Sequence, residues 1–253
     1  MGILIHLYLF NTGDHIMKIL VVDTETTGLD PESDKPIEVA AILWSTSHKS
    51  ILIQVSTLIG YKQEVPNPVE PINKIPSELL GKSFPYQPAL KLINQMSHSV
   101  EYICAHNADF DKEFCKKIVG LNVPLSNWID TQDIRYPNSK YCQGTSLNNL
   151  AIAHGIPIVD AHRALDDCKT LTKLLSLVPN LEEELKRASR PKVLVKSFEE
   201  KPGTLSKMNG FKWHSIIPYS WAKYMPKEDI ASLPFSAVQV SLEESINAQE
   251  RKS

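Results

Sequence analysis

The stretch VVDTETTGLD, Val21 to Asp30, decides the fold of this chain. The run KILVVD at its start is short, apolar and rich in β-branched residues, which indicates a strand buried on both faces. Residues i and i+2 of a strand point to the same face, so Asp23 and Glu25 converge while Thr24 turns away. Two carboxylates this close need a cation or a shared proton between them. Taken alone, the stretch fits an acidic strand end that enters a glycine turn equally well.

The composition is that of a folded globular protein. The chain has 253 residues, of which 42% are hydrophobic and 22% are charged, which suits one large domain or a large domain with a small module. The formal net charge of -2 argues against a protein that coats nucleic acid through uniform positive charge. The charge is uneven, because residues 191–240 carry seven lysines against four acids. The C-terminal segment is therefore the basic part of the chain.

The cysteines and the N-terminus indicate a cytoplasmic protein without membrane association. The four cysteines are Cys104, Cys115, Cys142 and Cys168. They are too widely spaced for a C-x-x-C motif, so reduced thiols are expected. The apolar run MGILIHLYLF is about half as long as a membrane span and lacks the features of a signal peptide. MKILVVDTET at Met17 resembles a natural start, so residues 1–16 are interpreted as an upstream extension.

The order of patterns along the chain predicts an α/β fold. Three candidate strands are followed by a proline-dense segment, residues 65–88, which indicates a long connection with at most short helices. Helix and strand patterns then alternate, which predicts a mixed β-sheet flanked by helices. The composition changes at KRASRPK, where a charged helix meets proline. We therefore expect a main domain at 17–188, a small α+β module at 191–241 and a tail at 242–253.

A second acidic motif is AHNADFDKEF. If a helix starts here, Phe110, Phe114 and Ile118 recur at i, i+4 and i+8 and define its inward face. At 100° per residue, Asp111 falls about 60° from the centre of that face and Asp109 about 140° away. Asp111 is therefore predicted to face inward and Asp109 to face water.

A third motif, AHRALDDCKTL, combines acids with a histidine. Its apolar stripe consists of Ala164, Leu165, Cys168, Leu171, Leu174 and Leu175. Asp167 lies about 70° from the centre of this stripe and Asp166 lies nearly opposite. His162 precedes Asp167 by five residues, so it must lie at or before the first helical turn, where it can reach a substrate as a base. Each motif alone is more typical of an ordinary surface acid or histidine.

Together, the three motifs carry a family resemblance. DTETTGL (23–29), AHNADFD (105–111) and HRALDD (162–167), in this order, resemble the three motifs of the DEDDh exonucleases. That family includes the proofreading subunit of bacterial DNA polymerase III and ribonuclease T. IDTQDIRYP and SLNNLAIAHGI extend the resemblance, which spans roughly Lys18 to Val178. It implies a ribonuclease H-like fold and a 3′–5′ exonuclease that releases nucleoside 5′-monophosphates.

The resemblance also implies roles for individual residues. The acids implied to hold two divalent ions, Mg²⁺ or Mn²⁺, are Asp23, Glu25, Asp111 and Asp167. Oxygen ligands suit these ions, and two ions about 4 Å apart generate a hydroxide and neutralise the leaving oxygen. His162 would deprotonate the attacking water, and Thr26 and Phe110 would help to hold the terminal nucleotide. Many members have His-Gly-Ile where this chain has Asn73 and Lys74, a departure that affects contacts to the last sugar and not the metal site.

The motifs leave the substrate open. Single-stranded DNA is our expectation, and trimming of RNA 3′ ends, as by ribonuclease T or oligoribonuclease, is the alternative. A catalytically silent nucleic-acid-binding protein with the same fold is the alternative from another class. The partners implied by the resemblance are a nucleic acid with a free 3′ end, a DNA polymerase or repair protein, and a second copy of the chain in a homodimer.

The C-terminal segment reads as strand, helix, two short strands, a helical turn and a last strand. The aromatic residues expected in its core are Phe198, Phe211, Trp213, Trp221 and Phe235. The alternative is a nucleic-acid-binding module whose aromatic faces stack on bases. The lysines that would then contact phosphates are Lys207, Lys212, Lys223 and Lys227. A vague resemblance to small GF-W…W modules attached to bacterial exonucleases assigns no function.

Overall fold

The computed structural model describes residues 16–82, 85–137, 145–159 and 161–250. The expected N-terminal extension, apart from Ile16, lies outside the described residues, as does Cys142. The three cysteines that are described, Cys104, Cys115 and Cys168, are buried free thiols, as their spacing predicted. In the part of the chain that the structure describes, no helix is both long enough and apolar enough to cross a membrane.

A five-stranded mixed sheet forms the centre of the larger part of the molecule. Its strands are β1 (Lys18–Thr26), β2 (Pro36–Ser45), β3 (Ser50–Leu58), β4 (Tyr102–Ala105) and β5 (Trp128–Asp130). Their spatial order is β3-β2-β1-β4-β5. The pairs β1/β2 and β2/β3 are antiparallel, whereas β1/β4 and β4/β5 are parallel. The predicted mixed sheet is confirmed, and β1 lies at its middle.

Helices cover both faces of this sheet. The helices are α3 (Gln87–Ser97), α4 (Ala108–Lys117), α5 (Leu147–Ala153), α6 (Ala164–Ser176) and α7 (Leu181–Ala188). Ile19 and Val21 of β1 pack in one apolar cluster with residues of α6. Leu20 and Val22 pack in a second cluster with residues of α3 and with Cys115 of α4. The strand is therefore apolar on both sides because each side faces a helical layer.

The described residues of the proline-dense connection that precede α3 form two one-turn helices, in agreement with the prediction of short helices. They are α1 (Glu70–Asn73) and α2 (Ser77–Leu80). Val65, Ile75 and Leu80 of this segment bury their side chains with Ile37 of β2 in a small apolar cluster. This packing holds the connection beside the end of β1.

The C-terminal segment forms a second, four-stranded sheet. Its elements are β6 (Lys192–Ser197), α8 (Thr204–Met208), β7 (Lys212–Trp213), β8 (Trp221–Pro226), a 3-10 stretch (Lys227–Ser232) and β9 (Ala237–Gln239), followed by α9 (Leu242–Glu250). The strand order is β7-β8-β6-β9, and all three pairs are antiparallel. The element order agrees with the sequence pattern.

The prediction of a core position for Phe198 is wrong. Phe211 and Trp221 are buried with Val195, and Trp213 and Phe235 pack against them, but the side chain of Phe198 is 63% exposed. Successive residues of an extended chain point to opposite faces. Phe198 therefore lies on the side opposite to that of the buried Val195 and Ser197.

Ion pairs connect the two sheets. Asp133, which follows β5, pairs with Lys192 of β6 at 2.6 Å and with Lys223 of β8 at 3.0 Å. Arg187 of α7 pairs with Asp229 of the 3-10 stretch. We propose that the two sheets correspond to two domains, residues 17–188 and 191–241, which these pairs hold together.

Candidate active site

The end of β1 carries two half-buried carboxylates on one face. Asp23 and Glu25 continue the side of the strand that Ile19 and Val21 present to α6, while Thr24 lies on the other side. α6 begins at Ala164, so Asp167 falls in its first turn. The arrangement brings acids from two separate segments to the same edge of the sheet.

Three of the sequence-predicted acids form a cluster. Ligand oxygens of Asp23, Glu25 and Asp167 all lie within 4.8 Å of one another. This donor set consists only of carboxylate oxygens, which are the ligands that Mg²⁺ and Mn²⁺ prefer. The cluster therefore fits a hard divalent cation.

Asp111 approaches the same place from the opposite face of the sheet. It is 2% exposed, and its Oδ1 accepts hydrogen bonds from the backbone N–H of Thr24 at 2.9 Å and from Thr24 Oγ1 at 2.8 Å. Asp109 of the same helix is exposed, as the periodicity predicted. Asp111 lies outside the three-carboxylate cluster, but it lines the same cavity of about 460 Å³ as Asp23, Glu25 and Asp167.

Burial and mutual repulsion change the protonation of these acids. Burial and the neighbouring carboxylates hold the pKa of Asp23 well above its ordinary value and raise the pKa of Glu25 to about 8. Burial raises the pKa of Asp167 to about 6. Burial also raises the pKa of Asp111 to about 7, although the hydrogen bonds from Thr24 oppose the change. Without a cation, the site therefore binds protons at neutral pH.

His162 lies before the first turn of α6, as predicted from its spacing. Its φ of 66° is in the left-handed region, which non-glycine residues adopt rarely and at an energetic cost. Its backbone N–H donates to Oδ2 of Asp167 at 2.9 Å, and this bond fixes the backbone beside the cluster. His162 is exposed and lines the cavity, so its imidazole has access to a molecule bound there.

An ion pair between a buried carboxylate and a partly exposed arginine, which the sequence did not predict, fixes the start of α6. Glu38 of β2 is 2% exposed and lies opposite Glu25 in the strand register. It accepts hydrogen bonds from Arg163 Nε at 3.1 Å, from Arg163 Nη2 at 2.9 Å and from the N–H of Ala164 at 3.1 Å. The pair attaches the helix to the sheet and thereby positions Asp167.

We expect Glu38→Gln to destabilise the protein by about 2 kcal/mol, because the change leaves buried donors without a charged acceptor. The guanidinium of Arg163 is half exposed, which keeps the loss below that of a fully buried pair. Urea unfolding measures the change in the free energy of unfolding. Glu113→Gln is the matched control, since the pair of Glu113 with Lys116 lies on the surface, and its loss costs less than about 1 kcal/mol. Equal stabilities of the two variants would contradict the anchoring role.

Two residues expected to hold a nucleotide also line the cavity. The ring of Phe110 is half-buried, and its centroid lies 4.7 Å from that of Phe114. Thr26 is buried, and its hydroxyl donates to the carbonyl of Gly28. A Cβ at Gly28 would lie 2.3 Å from the carboxylate of Asp34, so a larger residue here would displace that side chain. The structure therefore brings Phe110 and Thr26 together at the cluster.

Asn73, which departs from the common family pattern, forms hydrogen bonds with other residues of the chain. Its side chain is 1% exposed, and its Oδ1 accepts from Nδ2 of Asn67 at 2.9 Å and from the N–H of Ile75 at 3.1 Å. Its Nδ2 donates to the carbonyl of Thr26 at 3.4 Å. These bonds hold the proline-dense connection against the end of β1, where it forms a wall of the cavity.

The opposite wall includes two residues of the quoted motifs to which the sequence assigned no role, His106 and Asn148. His106 lines the cavity, and its Nε2 donates to the carbonyl of Thr145 at 2.6 Å, while its Nδ1 lies 3.0 Å from Oγ1 of Thr131. Burial lowers the pKa of His106, and both nitrogens of its ring have partners within the protein. Asn148 also lines the cavity, and its Oδ1 has no hydrogen-bond partner among the described residues.

Comparisons with known proteins agree with these motifs. The model of the family described as Exonuclease (RNase_T) matches residues 20–175. DNA polymerase III subunit epsilon of Treponema pallidum is 31% identical over 181 residues, which cover 68% of this chain and 81% of that protein. The 3′–5′ exonuclease DinG of Staphylococcus aureus strain USA300 is 31% identical over 173 residues, which cover 65% of this chain and 18% of DinG.

Solved structures show the same fold. Exonuclease I superposes with a TM-score of 0.57 at 21% identity, covering 76% of this chain and 50% of that chain. The nuclease domain of 3′hExo, a DEDDh family member, superposes with a TM-score of 0.52 at 16% identity, covering 69% and 95%. The predicted ribonuclease H-like fold and the DEDDh resemblance are confirmed. Because the family model matches more than half of the chain and contains the clustered acids, the chain belongs to the exonuclease family and is a nuclease.

Proposed function

We propose that the protein is a metal-dependent 3′–5′ exonuclease that acts on single-stranded DNA and releases nucleoside 5′-monophosphates. The observation that carries the proposal is the cluster of Asp23, Glu25 and Asp167, which shares one cavity with Asp111 and His162. Family membership supplies the reaction class, and the cluster supplies a place for it.

Two divalent ions, Mg²⁺ or Mn²⁺, would be held by Asp23, Glu25, Asp111 and Asp167. Such ions supply a hydroxide near neutral pH and neutralise the leaving oxygen of a phosphodiester. The raised pKa values of the four acids support this assignment, because a cation would replace the protons that the cluster otherwise binds. Asp111 differs from the other three, since one of its oxygens already accepts two hydrogen bonds from Thr24.

His162 is the proposed general base. A base must come within hydrogen-bond reach of the proton that it removes, and His162 lies at the mouth of the cavity beside Asp167. Its side chain is exposed, so it can turn toward a water bound at the cluster. The backbone bond to Asp167 keeps the two residues in a fixed relation.

The cavity is large enough for the terminal nucleotide. Its volume of about 460 Å³ lies in the range of small-ligand pockets. Phe110 offers an aromatic surface to a base or sugar, and Thr26 lies beside it on β1. Both remain proposals for contacts to the nucleotide that is removed.

Known proteins favour DNA as the substrate. One relative is a DNA polymerase III subunit, and exonuclease I, a structural neighbour, has been solved with a dT13 oligonucleotide. The similarity to a DNA polymerase III subunit also suggests a polymerase as a partner. The nuclease domain of 3′hExo has been solved with rAMP, which keeps trimming of RNA 3′ ends as the second candidate. We propose DNA because the DNA polymerase III subunit, at 31% identity, is more similar in sequence to this chain than the nuclease domain of 3′hExo, at 16%.

Digestion of matched DNA and RNA strands tests the proposal. Strands of 20 nucleotides, labelled at the 5′ end, are incubated with Mg²⁺, with Mn²⁺ or with EDTA. We expect labelled products that shorten one nucleotide at a time, 5′-monophosphates as the released species, faster loss of DNA than of RNA, and no reaction in EDTA. His162→Ala should lower the rate about 10²- to 10⁴-fold, whereas His98→Ala, at an exposed helix end, should not change it.

Each other outcome has a distinct meaning. Immediate release of the 5′ label as a mononucleotide would overturn the polarity, and hydrolysis in EDTA would overturn the metal dependence. Faster loss of RNA would favour the second candidate. Tight binding of an intact strand without hydrolysis would favour a silent binding protein.

A further inference from the structure

One face of the small sheet carries three lysines and an exposed tyrosine. Lys196 of β6 and Lys212 of β7 both lie opposite Ala222 of β8, and residues opposite each other in a sheet share a face. Lys192 lies on the same side of β6 as Lys196, and Tyr224 lies on the same side of β8 as Ala222. Tyr224 is 47% exposed. We call Lys192, Lys196, Lys212 and Tyr224 the lysine face.

Part of the positive charge of this face is not compensated. Lys192 pairs with Asp133. Lys196 and Lys212 have no ion-pair partner among the residues that the structure describes. Residues 191–240 as a whole carry seven lysines against four acids. The face is therefore a source of positive potential on a chain whose overall charge is negative.

The structure distinguishes among the four lysines that the sequence suggested as phosphate contacts. Lys212 belongs to the lysine face. Lys223 leaves β8 on the other side of the sheet, but its ammonium pairs with Asp133, as that of Lys192 does. Lys207 belongs to α8 and Lys227 to the 3-10 stretch. Of these four lysines, Lys212 is therefore the one that lies on the lysine face.

The lysine face lines a cleft that begins beside the catalytic cavity. The cleft has a volume of about 410 Å³, and its lining includes Lys192, Lys212 and Tyr224 of the lysine face, but not Lys196. Lys223 and Asp133 also line it, and Asn107 at the start of α4 lies on its other side. Asn107 directly follows His106, which lines the catalytic cavity. At a rise of 1.5 Å per residue, Asn107 lies about 6 Å from Asp111 along the axis of α4. Consecutive residues of the chain thus line the two spaces.

We propose that the lysine face binds the single strand on the 5′ side of the nucleotide that is removed. This inference rests on the proposed exonuclease function, because it assumes a strand whose 3′ end lies at the carboxylate cluster. Lys196 and Lys212 contact phosphates, and Tyr224 stacks on a base, which is the combination that binds single strands without sequence preference. Asp109 and Asp130 on the opposite wall repel phosphates and keep the strand on the lysine side.

Binding of a 20-nucleotide strand by the full chain in EDTA tests the face without hydrolysis. The double variant Lys196→Ala/Lys212→Ala should weaken binding about tenfold at 0.1 M salt, and the slope of log affinity against log salt should fall by about 1.4, which is 0.7 for each lost phosphate contact. Tyr224→Ala should weaken binding about tenfold without changing the slope. Fluorescence anisotropy of a labelled strand measures both quantities.

The matched control is Lys91→Ala/Lys173→Ala, which removes two exposed lysines of α3 and α6 and should leave affinity and slope unchanged. Hydrolysis of a trinucleotide, which offers at most two nucleotides on the 5′ side of the bond that is cleaved, should be lowered less by the lysine-face variants than hydrolysis of the 20-nucleotide strand. An unchanged salt slope in Lys196→Ala/Lys212→Ala, or equal effects of the two double variants, would contradict the proposal that the lysine face binds the strand. Failure of the wild type to hydrolyse the trinucleotide with metal would instead contradict the proposed function. The binding measured in EDTA would still test the lysine face, because it does not depend on hydrolysis.

Discussion

Asp23→Asn is expected to lower the rate of hydrolysis at least about 10³-fold while leaving the protein folded. Asparagine keeps the shape of the side chain but removes one negative charge from the cluster with Glu25 and Asp167. Metal ions supply several kcal/mol of transition-state stabilisation, and each 1.36 kcal/mol is a factor of ten in rate. The rate is measured on a 5′-labelled strand at saturating Mg²⁺. Circular dichroism establishes that the variant has the secondary structure of the wild type.

Asp166→Asn is the matched control for this prediction. Asp166 is adjacent to Asp167 in the sequence, but it forms a surface pair with Lys169 at 3.1 Å and does not line the catalytic cavity. Its replacement should change the rate less than about twofold, since surface pairs of this kind contribute little. Equal loss of activity in Asp23→Asn and Asp166→Asn would contradict the assignment of the cluster. Full activity of Asp23→Asn would do so as well.

The thermal stability of the metal-free protein is expected to fall as the pH rises from about 5 to about 8. The pKa of Glu25 is raised to about 8 and that of Asp167 to about 6, whereas unfolded carboxyl groups titrate near 4. In this window the folded chain therefore binds more protons than the unfolded chain, and stability decreases with pH. For a chain of this length, a change of 1 kcal/mol in the free energy of unfolding shifts Tm by about 2–4 °C. We expect Tm to fall by at least this amount between pH 5 and pH 8.

Added Mn²⁺ should remove this dependence, because the cation binds the deprotonated cluster of the folded chain. The rise in Tm that Mn²⁺ produces should therefore be larger at pH 8 than at pH 5. Glu25→Gln is the control variant, since it removes a carboxyl with a raised pKa and should flatten the metal-free profile. A metal-free Tm that stays constant or rises between pH 5 and pH 8 would show that the acids are not held together in solution.

Local periodicity predicted the parts of the site that lie within single elements. The angular positions around a helix place Asp111 inside and Asp109 outside, and both side chains lie there. The five-residue spacing placed His162 before α6, and the helix begins at Ala164. Alternation along a strand likewise placed Asp23 and Glu25 on one face. These features depend only on neighbours in the sequence, so a pattern can encode them.

Features that depend on distant residues could not be read in this way. Glu38 and Arg163 are 125 positions apart, and neither has a local signal for the other. The connection through Asn73 reaches Thr26, 47 positions away. The composition of the C-terminal segment predicted an aromatic core, and Phe211, Trp213, Trp221 and Phe235 belong to it. It failed for Phe198, because the position of that side chain depends on where β6 ends and on which face of the strand is covered.

Calorimetric titration of the protein with Mn²⁺ at pH 7.5 tests the central claim most directly. We expect two ions bound for each wild-type chain, release of protons on binding because the cluster acids have raised pKa values, and loss of this binding in Asp23→Asn. Binding of Mn²⁺ with the same stoichiometry and affinity by the wild type and by Asp23→Asn, or no binding by the wild type, would contradict it.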